Sequence, residues 1–431
     1  MTTTAPISVA ETYPHYATAY AGQTASDVLA IKEMRERGWE AFNTLGLPTA
    51  RRGNEPWKYT NAGPIARESF SHSGLSRAGD PISTLADVQA VAPWQPDWRN
   101  LVVVDGAFAP VLSTGNTTGA GIATGLADAV HSEPKLAANV LGQLAPPEED
   151  GFAALNAAFV GDGVGIYVPA GVDAGVVNVI YLTTGRDQPR ATHPRTVIAA
   201  EPNSRVTVIE TFAGPDTRYL TNTVMETSVG EGASVEHYRL LLEGSEAYHV
   251  GVSRVVQQKD SSFSSVALSQ GAALGRNDFG VTLAGTGAQT MLNGLYLTKG
   301  NQHIDNYINI DHAEPYGTSR LFYKGILGRT VSRRVRWQQE AEVDSKPSLL
   351  IYADDVKCGH GATAGHIDVD TVFYMRSRGL DLATASRILI QAFAREIIDT
   401  VALEPLRDYL DQRFQDAIPS ANIALPIGGR S

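Results

Sequence analysis

The residues best suited to chemistry lie near the C-terminal end, in Ile351-Tyr352-Ala353-Asp354-Asp355-Val356-Lys357-Cys358-Gly359-His360-Gly361-Ala362-Thr363. Cys358 is the only cysteine in 431 residues, and His360 stands two positions after it. Tyr352, Val356 and the β-branched or aromatic residues before them favour an extended strand. Residues two apart on a strand point to one face. Cys358 and His360 are then expected side by side, with Lys357 and Gly359 turned away. A soft thiolate beside an imidazole suits iron, zinc or copper(I). It equally suits an activated nucleophile. Out of context, a lone cysteine is more often a small buried hydrophobe.

The rest of the chain narrows the chemistry. Hydrophobic residues make up 43% and charged residues 19%, an ordinary globular composition. A chain of 431 residues exceeds one typical core, so two or three structural regions are expected. No apolar run approaches the roughly 18 residues of a membrane span. Met1-Thr2-Thr3-Thr4-Ala5-Pro6 has neither the basic start nor the apolar core of a secretory signal. A net charge of −11 argues against a nucleic-acid backbone as partner. A single cysteine leaves a reduced, cytoplasmic setting as the simplest compartment. One cysteine also falls short of the set of thiolates that usually holds an iron–sulfur cluster, so such a role needs a second chain. Gly-x-x-x-x-Gly-Lys-Ser/Thr is absent, which predicts no ATP site of the chain's own; Gly-x-Ser-x-Gly and His-Glu-x-x-His are absent too.

The elements that must position Cys358 and His360 read as three regions: 1–160 helical and mixed, 161–366 a β-helix core, and 367–431 helical. Residues 24–46 form an amphipathic pattern, with Ser26 as N-cap and Gly46 as stop. Its apolar stripe is Ala30, Ile31, Met34, Trp39 and Phe42. Glu55-Pro56-Trp57-Lys58-Tyr59-Thr60 packs two large aromatics into a short loop, as an anchor onto the chain itself would. Asp105-Gly106 between apolar runs signals a hairpin. Helical patterns resume at 135–144 and 151–159. From Gly163 strand-like pieces follow one another, and polar turn clusters recur near Pro202, Gly230, Lys259, Gly285, Pro315 and Pro347. Their intervals are 28, 29, 26, 30 and 32 residues. Such spacing predicts a mainly β fold, a β-solenoid whose rungs stack backbone on backbone. The rival all-β reading is a sandwich or barrel, with turns every ~8–12 residues. Helices follow at 370–378, at 381–401 (stripe Ile388, Leu389, Ala392, Phe393, Ile397 and Ile398) and at 403–418 (Leu406, Leu410 and Phe414). The last two either cap the solenoid or present a face to a partner.

At this point the residues support a resemblance. Ala353-Asp354-Asp355-Val356-Lys357-Cys358-x-His360-Gly361-Ala362-Thr363 and Phe373-Tyr374-x-Arg376-Ser377-Arg378-Gly379 resemble the SufB/SufD family of iron–sulfur cluster assembly proteins, on its SufD side. Supporting runs are Glu55-Pro56-Trp57-Lys58-Tyr59-Thr60, Ala154-Leu155-Asn156-x-Ala158-Phe159 with Asp162-Gly163, Arg276-Asn277-Asp278, and His312-x-x-Pro315-x-Gly317-Thr318-Ser319. The resemblance implies a β-helix between helical ends and a non-catalytic scaffold subunit of the SufBCD complex. It implies pairing with a SufB homologue through the β-helices, and docking of the SufC ATPase on the C-terminal helices. Cys358 and His360 would then bind metal and a transient iron–sulfur cluster at the interface with SufB. A SufB-like paralogue is the nearest alternative. It usually carries several cysteines, and Glu where this chain has Gly361.

One stretch departs from the family. Between Gly325-Ile326-Leu327 and Glu342-Val343-Asp344 the family has roughly one further rung. Here Gly328 to Ala341 fills the gap, crowded with Arg329, Arg333, Arg334 and Arg336. Two enzyme readings also remain. A β-helix enzyme acting on carbohydrate could use Asp354 and Asp355, although adjacent strand residues face opposite ways and could not flank one bond. A cysteine hydrolase could use Cys358 and His360, although no orienting third group or oxyanion loop is evident.

Overall fold

The structure, a computed structural model, describes residues 12–23, 26, 28–50, 54–72, 84–114, 121–184, 189–328, 359, 361 and 367–418. The chain divides into two compact units: residues 1–296 with 301–324, and residues 297–300 with 325–431.

The first unit begins with helices α1 (Pro14–Ala21), α2 (Leu29–Leu45) and α3 (Gly63–Arg67), strand β1 (Ser71–His72) and helix α4 (Leu85–Val91). The expected stripe of α2 is real: Ile31, Met34 and Phe42 are buried. Gly46 stops the helix at a left-handed φ of 61°. The N-terminus differs from expectation, since the helix starts after Val28 with no side-chain cap. Ser26 instead accepts the Val28 N–H, two residues on. Next come β2 (Arg99–Val104) and β3 (Ala107–Phe108), the expected hairpin, turning through positive φ at Asp105 and Gly106. Strand β4 (Ile122–Gly125) and helices α5 (Leu126–Ser132), α6 (Pro134–Asn139) and α7 (Gly151–Phe159) complete this part.

A solenoid follows, and the sandwich reading falls. Its strands are β5 (Gly163–Val168), β6 (Asp173–Leu182), β7 (Arg190–Thr192), β8 (Arg195–Ala200), β9 (Arg205–Ala213), β10 (Tyr219–Val229), β11 (Ser234–Leu242), β12 (Tyr248–Gln257), β13 (Ser262–Ser269), β14 (Leu274–Leu283), β15 (Gln289–Lys299), β16 (His303–His312) and β17 (Thr318–Gly328). They fill two sheets alternately, except that β7 and β8 both join the first, β7 beside β1 and β10. One runs β16-β14-β12-β10-β8-β5-β4, the other β17-β15-β13-β11-β9-β6-β2-β3. Apart from the antiparallel β4–β5 and β2–β3 pairs, the pairings up to β16 are parallel: Leu220 lies opposite Tyr248, Tyr248 opposite Leu274, and Leu274 opposite His303.

The near-even turns of the sequence are one stacked corner. At the described ones a residue takes a left-handed φ, Asn203 (59°), Gly232 (67°), Asp260 (53°), Gly287 (77°) and Tyr316 (63°). Gly171 (72°) begins the same column one rung earlier, so that the column runs Gly171, Asn203, Gly232, Asp260, Gly287, Tyr316. The N–H of each of the first five donates to a carbonyl one rung on: Pro202, Glu231, Lys259, Thr286 and Pro315. Glycine, Asn and Asp recur there because they tolerate this conformation. The sixth expected turn, at Pro347, lies outside the described residues.

Apolar side chains fill most of the lumen, among them Val177, Val179, Val206, Val208, Ile198, Val235, Phe263, Phe279 and Val281. Each fully buried side chain of this kind contributes about 1.5–3 kcal/mol. The outer face of the first sheet is covered. Tyr16, Phe42, Trp57, Ile65 and the residues of α7 share one apolar cluster with Ala191, Leu220, Val224, Val250, Val252 and Leu274. Gly38 lets α2 press on α7, since a Cβ there would sit 2.4 Å from the Ala158 nitrogen.

The second unit holds α8 (Val369–Ser377), α9 (Leu382–Ile398) and α10 (Glu404–Ala417). Leu406, Leu410 and Phe414 of α10 are buried, as expected. The stripe expected for α9 is partly out of phase. Ile397 and Ile398 are buried, but the rest of the buried face is Ala385, Ser386 and Ala394. Ile388 and Phe393 are 41% and 39% exposed. Three of the five buried residues are small.

Candidate functional site

Cys358 and His360, with Asp354 and Asp355, lie outside the described residues. Of that stretch Gly359 and Gly361 are described, and both are exposed. Among the described residues no three His, Cys, Asp or Glu side chains are grouped to hold a metal ion. No described helix is long and apolar enough to cross a membrane.

The other family-like runs pin the helices to the solenoid. Trp57 is the anchor: it stacks on Phe152 at 5.2 Å, and the Arg276 guanidinium lies 4.0 Å from its ring centroid. Tyr59 is not, being half exposed. Thr60 bonds His303 at 3.0 Å and also reaches Asp305, which Arg276 grips from β14. Asn156, on the buried face of α7, accepts from Arg195 at 3.1 Å and donates to the Pro194 and Asn222 carbonyls. Arg195 in turn donates to Glu226 at 2.8 Å, both fully buried. Glu226 also accepts the Gly142, Leu144 and Ala145 N–H groups. Asp162 accepts the Phe108, Ala127 and Gly163 N–H groups; burial raises its carboxyl above the usual range despite those bonds. The His312 run is a corner: His312 Nε2 meets Ser319 Oγ at 2.8 Å across the turn at Tyr316.

Sequence reasoning missed two groups of ionisable residues. The first crosses the lumen. Glu210 contacts Thr196, His237 Nε2 (3.1 Å) and Arg239 (3.5 Å). Arg239 reaches His249 Nε2 at 2.9 Å, and His249 Nδ1 meets Glu243 at 2.9 Å. Burial alone would raise the Glu210 carboxyl; the His237 hydrogen bond and charge, with Arg239 and Thr196, outweigh it and hold it low. Alternation could have flagged these residues. Glu210 falls on the same strand face as Val206, Val208 and Phe212, and His237 and Arg239 on that of Val235 and Leu241. The second is His72 and His193, 3.0 Å apart and packed on Phe159. Asn222 donates to His193 Nδ1, so His193 Nε2–H must donate to His72 Nδ1. Burial pushes His72 down to about 3 and His193 well below its ordinary value.

A cleft of about 630 Å³ opens between Trp57, Asp150, Arg254, Asp278 and Tyr307. Its charged groups already have structural work: Arg254 donates to Asp278 at 2.8 Å, and Asp150 caps α7 through the Phe152 and Ala153 N–H groups. In the second unit α8 exposes Phe373 (73%) and Tyr374 (59%), the aromatics of the Phe-Tyr-x-Arg-Ser-Arg-Gly run. Arg378 lies 5.1 Å from the Tyr374 ring centroid and donates to its hydroxyl.

Comparison with known proteins accords with these features. Residues 9–177 match the SufBD protein N-terminal region. The SufBD core domain of SUF-system FeS cluster assembly matches in two pieces, 181–335 and 328–393, which overlap inside the shortened stretch. An iron–sulfur cluster assembly SufBD family protein of Synechocystis is 28% identical over 428 residues, spanning 90% of this chain and 91% of its own length. The iron–sulfur cluster assembly protein SufD of Escherichia coli is 28% identical over 407 residues, 87% of this chain and 90% of its own. A chloroplastic protein of Arabidopsis thaliana is 28% identical over 426 residues, 89% and 86%. With matches running from the N-terminal helices through the solenoid to the C-terminal helices, this chain belongs to the SufBD family of iron–sulfur cluster assembly proteins.

Proposed function

We propose that this chain is a non-catalytic scaffold subunit of a Suf assembly complex, paired with a SufB homologue through its solenoid. Cys358 supplies a thiolate and His360 an imidazole to a site completed by the partner, where the cluster forms as product and not as a resident cofactor. The observation that carries this reading is the solenoid's last described rung. No further strand is bonded to β16 or β17 among the described residues, and the Cys358 stretch follows them in sequence. A strand edge of that kind is a template for pairing with another chain.

The SufC ATPase docks on the C-terminal helices, and the exposed Phe373 and Tyr374 of α8 support that assignment. The test is co-expression with the SufB and SufC homologues of the same genome, followed by affinity capture of this chain. Both partners should be recovered in stoichiometric amounts. A Phe373→Ala, Tyr374→Ala chain should keep SufB and lose SufC. Capture of this chain alone would sink the proposal.

A further inference from the structure

Arg239 leaves β11 and crosses the lumen toward β12, over Gly251, where a Cβ would lie 2.2 Å from Nη2. A guanidinium only donates. His249 Nε2, 2.9 Å away, must therefore accept, which puts the ring proton on Nδ1, donated to Glu243. The imidazole is thus neutral, with both nitrogens committed. A second ring proton would meet the Arg239 guanidinium instead of an acceptor. The charged groups around the ring are Arg239 from β11, Glu243 from the corner and Glu210 from β9, with His237 behind Glu210. Phe212 from β9 and Gly275 from β14 face it without charge.

Glu243 begins the corner between β11 and β12. Beyond Glu243 the corner has few ties: Gly244 N–H to the Tyr219 hydroxyl, Ser245 N–H to Asp216, Ala247 N–H to the Gly244 carbonyl, and from the next rung Ala272 N–H to the Glu243 carbonyl and Ala273 N–H to the Ala247 carbonyl. The Thr221 hydroxyl also donates to Glu243. We propose that His249 is a proton-operated latch: neutral, it ties this corner to the lumen; protonated, it lets residues 243–247 open while the rungs stay folded. Burial in the closed state lowers its affinity for a proton, and opening restores the ordinary one.

Hydrogen exchange on the full chain, corrected for intrinsic rates, tests this. Between pH 7.5 and 5.5, protection of 243–247 should fall about tenfold while β11 and β13 hold, because an open histidine titrates near 6.5. His249→Gln can accept from Arg239 and donate to Glu243 without titrating. It should keep the protection and lose the pH dependence. Unchanged protection in the wild type, or the same fall in His249→Gln, would overturn the latch. Ring ¹⁵N spectra of the wild type at pH 7.5 give an answer independent of the variant's folding. An unprotonated Nε2 supports the latch, and a protonated one overturns it.

Discussion

Glu226 takes hydrogen bonds from three backbone N–H groups and from Arg195 without contact with water. It ties the 142–145 segment to two neighbouring strands. Glu226→Gln leaves the buried guanidinium without its counter-charge, and removal of one partner of a buried pair costs about 3–5 kcal/mol. Urea unfolding should register that loss. Glu231→Gln, which breaks a surface pair with Lys259, should leave the midpoint unchanged. Equal midpoints for the two variants would contradict this role for Glu226. At this scale the sequence was legible where chemistry is local. The Asp-Gly hairpin announces itself. Arg195 and Glu226 did not, since they are 31 residues apart and meet only through the parallel register.

Among the elements, the solenoid was legible because each rung must turn, and only a few residue types tolerate the left-handed corner. The turns at Pro202, Gly230, Lys259, Gly285 and Pro315 all fall in that stacked column. The apolar stripe of helix α9 coincides with its buried face only at Ile397 and Ile398, because Ala385, Ser386 and Ala394 fill the rest of that face. Trp57 could be recognised as an anchor, but not that it lands on Phe152 and Arg276. These contacts bear on truncation. Deleting residues 1–97 removes Tyr16, Phe42, Trp57 and Ile65 from the outer face of the first sheet and strips part of the cover from the cluster that holds Leu220, Val224, Val250 and Val252. The shortened chain is expected to aggregate. A monodisperse, β-rich product in size exclusion and circular dichroism would show that the helices are dispensable for folding.

Across the whole molecule, His72, His193 and His249 are all held neutral by burial, each below its ordinary value. Unfolded, each titrates near 6.5, so below that pH the unfolded chain binds more protons than the folded one. Stability therefore falls as pH drops, by up to about 1.4 kcal/mol per unit for each histidine. The urea midpoint should be clearly lower at pH 5.5 than at 7.5; equal midpoints would contradict it. Asp162, raised from 3.8 by burial, acts in the opposite direction nearer to that value. One cysteine falls short of the set of thiolates that usually holds a cluster. The direct measurement loads iron and sulfide onto the purified complex of this chain with its SufB and SufC homologues, and follows cluster absorbance. With Cys358→Ala and His360→Ala combined in this chain, the complex should be recovered at unchanged stoichiometry and cluster formation should be lost; cluster formation at the wild-type level on that doubly substituted complex would contradict the account.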